Sequence, residues 1–231
     1  MANTYQVEQA RDGFEGFDKA LKFIPDLVIS DIMMPGCDGL ELCNKLKTDE
    51  KTSHIPVILL TAKQTEANII EGYTTGADEY ISKPFNTELL VVRVKNILES
   101  RKKLRELYAK KCTIQPKQTI PDIDIAFLQK ASKIVEDNLS DVQFDIDKLA
   151  EDLLMSRRQL YRKLSALTNQ TAHDFITRIR LEKAASLLLS GNYTISEVAY
   201  QVGYSEPANF TRSFTKEYGM SPKKYLSSTT T

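Results

Sequence analysis

Short apolar runs alternate with stretches of helical spacing over residues 5–99. Residues 5–10 read as a strand, after which Phe14, Phe17, Leu21 and Ile24 recur at helical intervals, one βα step. The runs 27–30, 55–60 and 79–82 predict further strands, separated by helices around 40–46, 67–73 and 88–98. This alternation predicts an α/β doubly wound parallel sheet with helices on both faces. Leu27-Val28-Ile29 and Val57-Ile58-Leu59-Leu60 are continuously apolar rather than alternating, so both strands are expected to be buried on both sides, in the middle of the sheet. A charged helix over 98–110 follows, and then Pro116 and Pro121 interrupt all periodicity, placing a connection at 110–124. Everything beyond reads as helical, an all-α second domain.

That second part contains a duplication. Asp145-Ile-Asp-Lys-Leu-Ala-Glu is echoed 49 residues later by Thr194-Ile-Ser-Glu-Val-Ala-Tyr, and Ser156 by Ser205. With one residue inserted, Leu160, Arg162, Leu164, Asn169 and Phe175 align with Phe210, Arg212, Phe214, Gly219 and Tyr225. Thr194 with Glu197, and Ser156 with Gln159, have the spacing of capping boxes, while Asp145 suits the cap of the helix carrying Leu149 and Ser205 that of the fourth helix. Only Leu154 and Met155, or Gly203 and Tyr204, are left between the two helices of each unit, which is helix-turn-helix spacing. Asn169 and Gly219 fall where each second helix should end, and both types tolerate the left-handed conformation. A helix over 174–189 joins the units.

In the first unit Leu160, Leu164 and Leu167 form the buried stripe, leaving Arg158, Tyr161 and Arg162 on another face. A guanidinium is a planar fork matching the major-groove edge of guanine, and Arg157 or Lys163 is placed to neutralise phosphates. In the second, Phe210 and Phe214 are the stripe; Ala208, Asn209 and Arg212 face outward, with Asn suited to adenine and Ala to a thymine methyl. One basic helix face on its own is more simply a solvated face. Two copies on one rigid helix instead suit successive major grooves, about 34 Å apart.

Composition narrows the field. The 231 residues are 42% hydrophobic and 27% charged, a globular composition long enough for two domains. The longest apolar stretch, 55–60, is too short to cross a bilayer, and the first residues lack the basic-then-apolar pattern of a secretion signal, so a cytoplasmic location with no membrane contact from this segment is expected. Cys37, Cys43 and Cys112 with His54 and His173 make neither a disulfide framework nor a zinc site. The net charge of zero conceals a net −6 over residues 1–99 and +6 over 154–231, so the last third suits a polyanion.

The first domain carries its own chemistry. Asp31 ends a buried strand, Thr61 the next, and Lys83-Pro84 follows the third. A carboxylate, a hydroxyl and an ammonium on one sheet rim are what a phosphorylated aspartate requires: nucleophile, hydrogen-bond donor and cation. Three unrelated polar residues at strand ends are the plain alternative; their order and the Lys-Pro dipeptide weigh against it.

Two resemblances follow from these residues. Residues 124–226 resemble the AraC/XylS transcription activators, through Ser156-Arg-Arg-Gln-Leu-Tyr-Arg-Lys-Leu, Arg180-Leu-Glu-Lys-Ala-Ala, Ile195-Ser-Glu-Val-Ala-Tyr-Gln-Val-Gly-Tyr and Asn209-Phe-Thr-Arg-Ser-Phe-Thr-Lys-Glu-Tyr-Gly-Met-Ser-Pro. The resemblance implies base reading by Arg158, Tyr161 and Arg162, then by Pro207, Ala208 and Arg212; Pro207 departs from the polar residue often found there. Residues 5–100 resemble a two-component receiver domain with a flavodoxin-like sheet, through Pro25-Asp-Leu-Val-Ile-Ser-Asp-Ile-Met-Met-Pro-Gly-Cys-Asp-Gly, Leu60-Thr-Ala and Gly76-Ala-Asp-Glu-Tyr-Ile-Ser-Lys-Pro-Phe. It implies Asp31 as phosphoacceptor, Thr61 and Lys83 as the phosphoryl-sensing pair, Tyr80 as aromatic switch and a cis Lys83–Pro84 bond.

The receiver resemblance lacks its first strand, first helix and the acidic pair between them, because the sequence opens at the second strand. Magnesium, expected for an intact receiver, keeps only Asp31 and the Met33 carbonyl as ligands here, an incomplete site. The expected layout is a partial receiver over 1–100, a helical linker and loop over 101–123 and an AraC-type DNA-binding domain over 124–231, as at the C-terminus of a hybrid sensor histidine kinase. Expected partners are double-stranded promoter DNA, a histidine kinase or phosphotransfer domain, and a second copy in a homodimer. Two alternatives stand beside it. A degenerate receiver would serve only as a dimerisation or partner-binding module. A phosphatase using Asp31 as nucleophile would need a second acid two residues on, where Met33 stands.

Overall fold

The computed structural model describes residues 5–62, 75–109 and 122–229, in two compact units. One runs to Ile125 and takes in Ser165–Asn169; the other holds Ala126–Leu164 and Gln170–Thr231.

In the first unit, helix α1 (Gly13–Phe23) starts at Asp12, whose side chain accepts the Glu15 N–H, and α2 (Gly39–Thr48) starts at Asp38, which accepts from Glu41. Strands β1 (Val28–Asp31), β2 (Val57–Thr61) and β3 (Glu79–Ser82) form a parallel sheet of order β1-β2-β3. Both faces of β2 are covered, as its unbroken apolar run requires. Val57 and Leu59 pack with Ala20, Leu42, Cys43 and Leu46 from α1 and α2; Ile58 packs with Ile81 and with Leu90 and Val94 of α3 (Thr87–Ala109). Asp78 ties these layers together: it accepts from Lys47 Nζ (2.7 Å), the Val57 N–H (2.9 Å) and Arg101 (2.5 Å). Burial pushes its carboxyl up, but the two cations and the hydrogen bonds carry it below the ordinary range.

Two strand expectations fail for one reason. Residues 5–10 form no strand, and β1 is an edge strand with Ile29 38% exposed rather than a middle one. In a flavodoxin-like order both would flank a single strand, and no described residue occupies that place. Without that ladder residues 5–10 have no strand to pair with and take no regular structure. Helices expected over 88–98 and 98–110 merge into the 23-residue α3. The helix expected around 67–73 and the Pro116/Pro121 connection lie outside the described residues.

Described residues from 122 onward are all helical: α4 (Asp122–Asp137), α5 (Ile146–Asp152), α6 (Arg157–Thr168), α7 (Ala172–Leu189), α8 (Ile195–Gln201), α9 (Pro207–Tyr218) and α10 (Pro222–Thr229). Asp145 caps α5, Ser156 and Gln159 exchange bonds at the start of α6, and Thr194 and Glu197 form a full capping box on α8. The cap expected from Ser205 is not used. Glu206 precedes α9, and Pro207 begins it, where a missing N–H costs nothing and a fixed φ fits the helix.

The duplication extends to individual hydrogen bonds. Met155 N–H donates to Ala150 O (2.9 Å) and Leu154 to Glu151 (2.9 Å); 49 residues on, Tyr204 donates to Ala199 (3.0 Å) and Gly203 to Tyr200 (3.1 Å). Each is a helix end closed by a left-handed residue, Leu154 at φ 55° and Gly203 at φ 78°. Asn169 (φ 57°) and Gly219 (φ 71°) end α6 and α9 in the same way. The turns are longer than expected, 153–156 and 202–206, because the closing bonds take up residues on both sides of the left-handed one. Helix α7 packs against α5, α8, α9 and α10. No helix among the described residues is long and apolar enough to cross a membrane.

Leu154 holds a backbone conformation that glycine adopts freely, and its side chain is 79% exposed, so little packing opposes replacement. Leu154→Gly is expected to stabilise the second unit by about 1 kcal/mol, read as a higher urea midpoint at unchanged slope.

Candidate functional site

The sheet register brings the first set of residues to one rim. Asp31 and Thr61 are the last residues of β1 and β2, and the Lys83 N–H extends the β2–β3 ladder by donating to Thr61 O (2.7 Å). Across that rim Lys83 Nζ donates to Asp31 Oδ2 at 2.5 Å, with both side chains a little over one-third exposed. The Met33 N–H donates to Asp31 Oδ1 (3.2 Å), and Lys83–Pro84 is cis. The loop after Asp31 returns tightly: Gly39 N–H donates to Ile32 O (2.9 Å), and a Cβ on Gly39 would lie 2.1 Å from the Asp31 carbonyl oxygen. Only glycine fits there. Tyr80 lies on β3, its hydroxyl 3.2 Å from that of Thr75.

The Lys83 hydrogen bond is the main reason the Asp31 carboxyl sits below the ordinary carboxylate range; partial burial opposes it, and the Met33 N–H adds to it. Asp31 is therefore an ionised, accessible oxygen nucleophile beside a cation able to take charge developing on an electrophile's oxygens.

In the second unit Leu160, Leu164 and Leu167 are buried along α6, with Arg158 and Tyr161 exposed on the other side and Arg162 half-buried. Arg157 is exposed and pairs with Asp147 of α5 at 3.0 Å. On α9, Phe210 and Phe214 are fully buried; Ala208, Asn209 and Arg212 are exposed, Arg212 donating to Asn209 Oδ1 (3.1 Å), and Pro207 is half-buried.

Lys163 corrects the sequence reading. It is fully buried, its ammonium 4.7 Å from the centre of the Phe127 ring, and so is withdrawn from any phosphate. The spacing carried the warning, since 163 is three residues after Leu160 and four before Leu167, on the core stripe.

Residues 2–95 match the family of response regulator receiver domains, and residues 149–228 a helix-turn-helix domain family. The chain thus joins a region that matches response regulator receivers to one that matches a helix-turn-helix domain. The histidine kinase P4 of Formosa agariphila is 43% identical over 226 residues, which is 97% of this chain and 16% of that protein. The DNA-binding dual master transcriptional regulator RpaA of Synechocystis is 43% identical over 94 residues, 41% of this chain and 39% of that one. Among solved structures, the C-terminal domain of the two-component response regulator yesN of Fusobacterium nucleatum is 30% identical, covering 44% of this chain and 96% of that one at TM-score 0.40. The chain thus spans well under half the length of both full-length relatives. A receiver match followed by a helix-turn-helix match is the make-up of a transcription regulator.

Receivers typically bind magnesium, which takes six oxygens in near-octahedral array. On this receiver's rim Asp31 would supply one carboxylate to such an ion, with the Met33 carbonyl as the second ligand the receiver resemblance implies; no group of three or more Asp, Glu, His or Cys side chains suited to a metal occurs among the described residues. Two features of the receiver escaped the sequence. Asp78 was legible only as part of a motif, and the Met33 N–H bond to Asp31 left no sequence signal.

Because the folded pKa of Asp31 is depressed, its ionised form contributes stability that is fully present above the unfolded value and lost as pH falls through the folded one. Lys83→Met is expected to raise the Asp31 midpoint toward the ordinary carboxylate value and to narrow this window, read by carbon-detected NMR titration of the Asp31 carboxyl.

Proposed function

We propose that this chain is the receiver and output segment of a two-component phosphorelay, in which a phosphoryl group taken by Asp31 from a histidine kinase or phosphotransfer domain controls binding of promoter DNA by two helix-turn-helix units. The observation that carries the DNA-binding half is the pair of matching units, each with the same closing bonds and each presenting exposed polar residues on the helix after the turn. Arg158, Tyr161 and Arg162 of α6 and Ala208, Asn209 and Arg212 of α9 read base edges, with Arg157 on phosphate and Pro207 fixing the start of α9.

The Asp31–Lys83 pair carries the signalling half. Phosphorylation replaces one carboxylate charge with a dianionic group, so Lys83 and the Thr61 hydroxyl turn toward the phosphoryl oxygens. Tyr80, on the strand between them and Thr75, repacks with that change. The chain acts in the cytoplasm as a homodimer. The match to one-sixth of a histidine kinase supports a source in which kinase and regulator share one polypeptide.

A second reading has a specific observation behind it. Among the described residues no group of three or more metal-binding side chains accompanies Asp31, and a receiver that accepts no phosphate would serve as a dimerisation or partner surface. Incubation with acetyl phosphate and magnesium separates the two by intact mass: the phosphorelay reading expects one phosphoryl group, lost in Asp31→Asn, and the second expects none in either protein.

Selection from a random duplex pool is expected to enrich two motifs one helical turn apart, lost in the double variant Arg162→Ala, Arg212→Ala. Removing a phosphate contact lowers the slope of log affinity against log salt by about 1. Arg157→Ala is expected to show that change, whereas the buried Lys163 predicts an unchanged slope for Lys163→Met, with the loss appearing as thermal stability.

A further inference from the structure

The two helix-turn-helix units meet at a point that neither recognition helix includes. The loop between α4 and α5 runs along the turn of the second unit so closely that a Cβ on Gly203 would lie 2.4 Å from the Leu139 carbonyl oxygen. The same Cβ would lie 2.9 Å from the guanidinium carbon of Arg180, a half-buried residue near the middle of α7. Arg180 Nη2 donates to Asp141 O (2.7 Å) and, more weakly, to Phe144 O (3.4 Å), holding the loop that leads into the first unit. Next to Gly203, Tyr204 packs its ring edge-on against Phe210 of α9 at 5.5 Å. One side chain of the shared helix therefore touches the entry of the first unit and the turn of the second.

We propose that Arg180 is a positioning residue that fixes the two recognition helices relative to each other. Helix α7 sets the distance between the units through apolar packing, which is non-directional. A guanidinium whose Nη2 bonds two carbonyls of one unit while its plane is wedged against the turn of the other links the two, because the flat, rigid group can do both at once. Ammonium in its place has the charge without the fork. The carbonyl partners matter as well: with main-chain oxygens as acceptors, the clasp holds backbone and does not depend on a rotatable acidic side chain. In the reading proposed above, on which the functional consequence rests, this phase decides whether both helices can enter successive grooves.

The test uses the full chain with spin labels attached through genetically encoded keto amino acids at exposed positions 161 on α6 and 216 on α9, in the absence of DNA. The wild type is expected to give one narrow distance, Arg180→Leu a broad distribution and Arg180→Lys an intermediate one. Leu149→Val, a core change in α5, serves as the match for simple loss of stability and is expected to stay narrow. Gly203→Ala, which keeps the arginine but forces its Cβ against Leu139 and Arg180, is expected to shift the distance and covers the case in which Arg180→Leu does not fold. A narrow, unshifted distance in folded Arg180→Leu, or equal broadening in Leu149→Val, would overturn the proposal. On DNA, Arg180→Leu is expected to tolerate added base pairs between half-sites that the wild type rejects. A wild type that binds no DNA would sink the DNA-binding reading while the distance measurement still decides the role of Arg180.

Discussion

The second domain depends on one constraint: the eighteen-residue helix α7 has to complete two cores at once. Its first half buries Ala172, Phe175 and Ile176; its second half buries Leu181, Ala184, Ala185 and Leu188, the last four packing with Val198, Phe210 and Phe214. Neither unit has enough apolar surface of its own, since α5 and α8 are seven residues each and bury two side chains apiece. A helix so loaded cannot bend or slide without opening a core. The polar faces of α6 and α9 are thus carried by a common element, and Arg180 links the two units directly.

The receiver follows an analogous rule with a strand in place of the helix. Because β2 is buried on both faces, the strands beside it must keep register, and register is what puts Asp31, Thr61 and Lys83 on one rim. Gly39 holds that rim by allowing the loop to close on the Asp31 carbonyl, and Asp78 fastens α2 and α3 to the start of β2, at the other end of the strand. In the phosphorelay proposed above, the cation that depresses Asp31 at rest is the one available to a phosphoryl group.

Most of this was legible in the sequence where a physical rule acts over a few residues. Caps at Asp145, Ser156 and Thr194, left-handed ends at Asn169 and Gly219, and the apolar stripes of α6 and α9 all follow from local chemistry, and the duplication made each of them visible twice. The misreadings arise where the deciding partner is remote. Residues 5–10 have strand composition but no neighbour to pair with, and β1 has the apolar run of a central strand yet lies at an edge. Two others are local: Lys163 is a cation on the core stripe, three residues after Leu160, and Ser205 is a capping residue type two positions before the Pro207 that fixes the helix start. Leu154 could be aligned with Gly203, yet nothing in a leucine announces a left-handed turn. Arg180 was legible as a family motif only, because its carbonyl partners are 36 and more residues away.

Hydroxyl-radical footprinting of the full chain on a selected duplex tests the central claim, that two units on one rigid helix read successive grooves. The account predicts two protected windows centred about one helical turn apart on the same face of the duplex, appearing together over a single protein titration. One window alone, or two that fill at separate protein concentrations, would contradict it.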